Sequence, residues 1–191
     1  MDSLPAERRP DRRPSLTASA RAYATRCHAR QVRTSDGAPF IEHLLEVARL
    51  LRDAGCSDVV IAAAMLHDIV EDTDVDIAEL RARFGDAVAD LVHAVSDSPD
   101  VPDYRVRKRL LREQVRAAGR DAALLFAADK IAKVRELPDR SVRGRTHEYD
   151  LRLEHYRESL AMLQQVHGCH QLVCRLATEL RAADRALVSA R

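Results

Sequence analysis

The chain has 191 residues, with 31 Lys and Arg against 30 Asp and Glu. That length suits one domain with a full-sized core, and the balanced charge provides no global field to attract nucleic acid. Few glycines and aromatics and many Ala, Leu, Arg and Val favour helix throughout, and no apolar run approaches a membrane span.

Residues 1–14 combine Pro and Arg with few apolar groups and read as a disordered tail ahead of a domain over residues 15–191. That start has no hydrophobic stretch, so it does not read as a secretory signal. A first helix is expected from about Ser15 to Arg30. A polar loop follows with a turn at Asp36-Gly37. The next helix covers about Phe40 to Ala54 and stops at Gly55. Ser57 or Asp58 caps a third, which runs to Asp72. Shorter helices are expected over Asp76 to Phe84 and Asp86 to Val95. The prolines and turn formers of 96–102 make a loop. A charged helix covers Asp103 to Ala118, and Asp121 caps another that runs to about Leu137. Pro138 to Thr146 reads as a basic loop with Arg140, Arg143 and Arg145. Two long helices, near His147–Val166 and Cys169–Ala190, follow, and either complete the core or pair across a homo-oligomer. No segment alternates well enough for a strand. The expected fold is all-α, a bundle of about nine or ten helices with irregular packing angles.

Cys27, Cys56, Cys169 and Cys174 form no CxxC pair and no disulfide framework, which points to a reducing, cytoplasmic setting. The run His167-Gly168-Cys169-His170 lacks zinc-ligand spacing. It reads as a turn at Gly168 followed by small buried residues.

The chemistry concentrates at His67, Asp68, Glu71 and Asp72, directly after the apolar run Val59 to Met65. As one continuous helix this stretch places the four groups on a shared face. Three acids crowded on a largely buried helix call for a positive partner, and a divalent metal is the economical one. His43 upstream and Asp129 downstream extend the set to two imidazoles and two carboxylates. Such a mixed N/O set suits Mn²⁺, Fe²⁺ or Zn²⁺ and leaves positions open for water and substrate. A buried His-Asp hydrogen bond would account for the dipeptide alone. It would not account for Asp129 ending a second apolar run.

The adjacent His-Asp pair is the signature of the HD phosphohydrolase superfamily, and its surroundings are more specific. His28, Gln31, Arg33, Gly37, Pro39, Phe40, Ile41 and His43 resemble the opening of the hydrolase domain of the RelA/SpoT alarmone enzymes, roughly H-x-G-Q-x-R-x-x-G-x-P-Y-I-x-H-P. Ala64 to Thr73 is similar to that family's LLHDxxEDT motif. Phe84 to Val92 resembles its FGxxVxxLV stretch, and Ala128-Asp129-Lys130 matches A-D-R/K. The resemblance covers about residues 18 to 137. It implies an HD-domain helical bundle with His43, His67, Asp68 and Asp129 as ligands of a divalent metal, usually Mn²⁺. Glu71 and Asp72 become the catalytic acids beside the water that the metal activates, and Arg33 and Ser35 become substrate contacts. Lys130 and Lys133 add positive charge for phosphate. The implied reaction removes the 3′-pyrophosphate of (p)ppGpp, a small-molecule nucleotide. Alternatives are another nucleotide substrate (ppApp, NADPH or a nucleoside monophosphate) or a regulatory module that binds an alarmone or a protein partner. The family commonly has Asn and Thr where this chain has Lys133 and Glu136, both near the nucleotide. No room remains for a synthetase domain, so a single-domain small alarmone hydrolase is expected.

Overall fold

A computed structural model describes residues 14–137 and 147–189. The expected tail, all but its last residue, and the expected basic loop at 138–146 lie outside the described residues. The described residues form ten helical segments: α1 Leu16–Cys27, α2 Ile41–Asp53, α3 Asp58–Leu66, the single turn α4 Ile69–Asp72, α5 Ile77–Phe84, α6 Asp86–Val95, α7 Tyr104–Ala118, α8 Arg120–Arg135, α9 His147–His167 and α10 Gln171–Ser189. Among them the extended structure is one isolated antiparallel bridge, Val32 to Pro39, which pinches the loop between α1 and α2.

Local chemistry sets most boundaries. Ser15, Asp76 and Asp103 accept backbone N–H bonds from Ala18, Glu79 and Val106 and start α1, α5 and α7. Gly55, with φ of 76°, turns the chain after α2. Three expectations are corrected. Asp121 does not cap α8: Gly119 holds that position, and Asp121 lies in the first turn. The expected helix over 58–72 breaks at His67 and Asp68 into α3 and α4. Gly168 does turn the chain, but Cys169 and Cys174 are exposed rather than buried.

α8 is the axis of the fold. It touches α2, α3, α6, α7, α9 and α10, and every residue from Ala122 to Ala132 is buried. A helix buried all round must be apolar all round, and its alanines let neighbours approach closely. α3 is the second inner element: Val60 to Leu66 are all buried, against α1, α2, α6 and α8. The core is one continuous cluster from Ala20 to Ala183. Asp129 and Lys130 within this stretch of α8, and His67 and Asp68 directly after α3, are buried with their apolar neighbours. Leu125 is fully buried on α8. Leu125→Ala should lower unfolding stability by about 2–5 kcal/mol, read as a shifted urea midpoint at unchanged slope.

Candidate metal centre

α2, the α3–α4 break and α8 deliver four buried side chains to one point. His43 is 1% exposed, His67 3%, Asp68 5% and Asp129 4%. One ligand atom from each lies within 4.8 Å of the others. His67 Nε2 stands 3.2 Å from Asp68 Oδ2 and 3.3 Å from Asp129 Oδ1. His43 Nε2 stands 3.2 Å from Asp129 Oδ1 and 3.6 Å from Asp68 Oδ2.

The far side of each imidazole decides what these contacts mean. His67 Nδ1 lies 2.8 Å from the Ala64 carbonyl oxygen, which can only accept, so Nδ1 carries a proton. His43 Nδ1 lies 3.4 Å from Glu136 Oε1, which orders that ring in the same sense. When neutral, both rings aim a lone pair from Nε2 at carboxylate oxygens. Acceptors facing acceptors in a buried space require a cation between them. His43 Nε2 is accordingly a buried nitrogen with no hydrogen-bond partner among the described residues. The donor set fits a divalent metal, two nitrogens and two oxygens held by outer partners.

The same field is visible in proton affinities. Burial works against a charged His67, but the Asp68 and Asp129 carboxylates more than reverse it and push the imidazole up to about 10. Burial likewise opposes ionised Asp129, yet Lys130 and Lys133 hold it well below the carboxylate range. Lys130 Nζ lies 2.6 Å from Asp129 Oδ2. Lys133 Nζ lies 3.1 Å from Asp129 Oδ1 and 3.5 Å from Asp68 Oδ1. Lys133 thus meets internal acids and not Glu136, which serves His43 instead.

A cleft of about 310 Å³ opens beside the cluster, lined in part by Gln31, Arg33, Asp68, Glu71, Asp72 and Lys133. Glu71 accepts the Asp97 backbone N–H at 2.9 Å. Although the residue is exposed, partial withdrawal of its carboxyl from water and the nearby Asp68 raise its proton affinity. Asp72 accepts from Gln31 Nε2 at 2.8 Å, and Gln31 Oε1 lies 2.6 Å from His28 Nδ1. Arg33 pairs with Asp36 through two nitrogens. Ser35 is absent from the cleft lining; its hydroxyl is buried without a hydrogen bond among the described residues. Lys130 is buried over the Phe126 ring, 4.3 Å from its centre, and lines a neighbouring cavity rather than the cleft. The sequence places Gln31 in the motif without a role, and does not single out Asp97, Arg152 or Tyr156, nor the His43 contact of Glu136. For Glu136 a signal existed: it sits seven residues after Asp129, two turns along one helical face.

Residues 20–154 match the HD-domain family. The chain belongs to that family. Over 118 residues it is 42% identical to the human guanosine-3′,5′-bis(diphosphate) 3′-pyrophosphohydrolase MESH1, covering 60% of this chain and 65% of that protein. The match thus spans slightly under two thirds of the human protein. The Xenopus tropicalis protein of the same name is 36% identical over 126 residues, covering 64% of this chain and 70% of its own. A solved structure described as a metazoan ortholog of SpoT that hydrolyzes ppGpp superposes with a TM-score of 0.77 at 29% identity, over 92% of this chain and 98% of that one. No helix among the described residues is long and apolar enough to cross a membrane.

Removing a ligand should remove the metal. Wild-type protein is expected to hold a transition metal in stoichiometric amount, and His67→Ala and Asp129→Ala to hold none by elemental analysis. Full metal content in both variants would refute the assignment.

Proposed function

We propose that this protein is a metal-dependent hydrolase that removes the 3′-pyrophosphate of guanosine tetra- and pentaphosphate in a reducing, cytoplasmic setting. One observation carries the reading: the buried cluster of two histidines and two aspartates sits at a polar cleft flanked by Glu71 and Asp72. The likeness to pyrophosphohydrolases over the same segment supports it.

His43, His67, Asp68 and Asp129 hold the divalent ion, Mn²⁺ by family resemblance. Bound there, such an ion supplies Lewis-acid chemistry, acidifying water and offsetting phosphate charge. The chain's own groups do the rest. Glu71, its proton affinity raised, takes a proton from the attacking water. Asp72, held by Gln31, orients that water. The water oxygen bonds to the phosphorus on the ribose 3′ oxygen, the bond from that phosphorus to the ribose oxygen breaks, and the ribose oxygen leaves with the proton that Glu71 had taken from the water. Inorganic pyrophosphate and the nucleoside 5′-phosphates are the products. Arg33 exchanges its Asp36 partner for phosphate oxygens, for which its planar fork is suited. Ser35, next to Arg33, contributes from the loop, and Lys130 and Lys133 balance phosphate charge.

Glu71→Gln and Asp72→Asn should keep the metal and lose turnover on the order of a hundredfold or more. Metal analysis beside pyrophosphate release from ppGpp checks this. An emptied site in either variant would make that residue a ligand.

A second reading concerns the base. Lys133 stands where the family pattern has Asn, and its ammonium is directed to Asp129 and Asp68. An amide reads a base or sugar edge through paired hydrogen bonds, whereas an ammonium cannot accept one. We expect weak discrimination between ppGpp and ppApp in the wild type, and a stronger guanine preference in Lys133→Asn, measured as the ratio of kcat/KM values. A strong wild-type preference that the substitution leaves unchanged excludes Lys133 from selectivity.

A further inference from the structure

Asp72 is exposed on a helix of a single turn, and it lines an open cleft. Packing does little to fix an exposed side chain, so its rotamer is left to hydrogen bonding. Orienting a water nevertheless requires an oxygen held in place. Gln31 supplies that hold from the loop between α1 and α2, donating from Nε2 to Asp72 Oδ2 at 2.8 Å. A primary amide has donors at one end and an acceptor at the other, so by itself it can face a neighbour either way round. Something must choose the end that meets Asp72.

His28 makes that choice. It stands at the C-cap of α1, is 3% exposed, and packs its ring against Phe40 with centres 5.1 Å apart. Its Nδ1 lies 2.6 Å from Gln31 Oε1. A carboxylate only accepts, so the amide nitrogen faces Asp72 and the amide oxygen faces His28. Nδ1 is therefore the donor. The reverse arrangement fails twice. A proton on Nε2 would be buried without an acceptor, because Nε2 has no partner among the described residues. A bare Nδ1 would draw the amide nitrogen to itself and turn the amide oxygen against the Asp72 carboxylate. The backbone keeps the same register. Gln31 N–H donates to the His28 carbonyl at 3.0 Å, and the Gln31 carbonyl accepts from Phe40 at 2.9 Å. The Val32 to Pro39 bridge closes the loop beside them. All the side-chain donors thus point one way, from the buried ring through the amide to the carboxylate.

We propose that His28 is a positioning residue for the reaction, fixing through Gln31 the Asp72 carboxylate that orients the attacking water. The assignment rests on the hydrolase reading above. It gives a buried imidazole outside the metal cluster a task of its own. Phe40 separates the His28 ring from His43, with 5.6 Å between the Phe40 and His43 centres, and the hydrogen bond of His28 runs to the cleft instead. The effect falls on turnover rather than on substrate affinity, because a misdirected Asp72 leaves the phosphate-binding groups where they are.

The test is a double-variant cycle in steady-state hydrolysis of ppGpp by the full chain, with bound metal measured beside it. His28→Phe keeps a ring against Phe40 and removes the donor, and Gln31→Met keeps the length and removes the amide. Each should lower kcat on the order of tenfold, the loss of one hydrogen bond to a charged group, with KM and metal content close to wild type. His28→Asn, whose amide nitrogen can stand where Nδ1 stood, should recover most of the loss. The doubly substituted protein should be no slower than Gln31→Met alone, because His28 acts only through Gln31. A purely structural His28 would instead add its loss to that of Gln31→Met and would not be rescued by Asn. A second measurement is independent of turnover. In the ¹⁵N-histidine-labelled chain with Zn²⁺, which is diamagnetic, the His28 proton should sit on Nδ1, and Gln31→Met should move it toward Nε2. Additive losses in kcat, or a wild-type His28 with its proton on Nε2, overturn the inference and leave the hydrolase reading standing. A wild type that does not hydrolyse ppGpp but holds the Nδ1 proton until Gln31 is replaced supports the linkage of His28 to Asp72 and removes the hydrolase reading alone.

Discussion

Two histidine lone pairs and two carboxylates face one another inside the protein, and the rest of the structure is arranged around that conflict. Their near contacts, 3.2 to 3.6 Å, cannot all be hydrogen bonds when both rings carry their protons on the far side. A cation has to resolve them. In the polypeptide alone the substitutes are a proton on His67 and the ammonium groups of Lys130 and Lys133. A buried cluster of this kind contributes little to stability by itself, because desolvation offsets the Coulombic attraction. Its maintenance falls to the apolar helices that surround it. The fully buried Leu44, Leu66 and Leu125 lie next to, or within four residues of, ligand positions.

The break at His67 and Asp68 follows from the same need. Adjacent residues of a regular helix point about 100° apart and do not face each other. Two neighbouring ligands can converge on one point only if the helix is interrupted between or around them. Asp68 does this with φ of −92° and ψ of 0°, in the bridge region where many active-site residues sit. The interruption also starts α4 as a separate turn, so Glu71 and Asp72 are aimed independently. One is held by the Asp97 backbone and the other by Gln31.

Much of this was legible beforehand. Helix periodicity, caps and glycine stops located the elements to within a few residues, since they act locally. The four clustered side chains were recognisable because His67-Asp68 and Asp129 each follow an apolar run and the family resemblance adds His43. The helix break was not legible, because nothing in Leu66-His67-Asp68-Ile69 disfavours helix; the tertiary demand on the ligands overrides propensity. The contacts of Asp97, Gln31 and His155 were also hidden. Their importance comes from partners 26, 41 and 43 residues away, at Glu71, Asp72 and Arg112, and no local pattern encodes such distances. The expected burial of Cys169 and Cys174 failed because Cys169 stands in the turn before α10 and Cys174 lies on an exposed face of that amphipathic helix.

α8 shows how one helix can concentrate function without losing its place in the core. Asp129, Lys130, Lys133 and Glu136 occupy positions 0, 1, 4 and 7. Asp129, Lys133 and Glu136 therefore form a stripe along one face, with Lys130 turned toward the next. The stripe supplies an acid at the cluster, a cation against two of its carboxylates and an acid behind His43. Lys130 lies between the Phe126 ring and the neighbouring cavity. Between Ala122 and Ala132 the rest of the helix is apolar and buried, so the stripe cannot rotate toward solvent without exposing Leu124, Leu125 and Ile131. Replacing Asn and Thr of the family pattern by Lys133 and Glu136 changes two members of the stripe together, with opposite charge. The added cation faces the Asp68 and Asp129 carboxylates and the added anion faces the His43 imidazole. Each new charge meets its complement, and the pair leaves the net charge of the helix unchanged. The departure reads as a coordinated rebuilding of the cleft's electrostatics, with the four ligands kept in place.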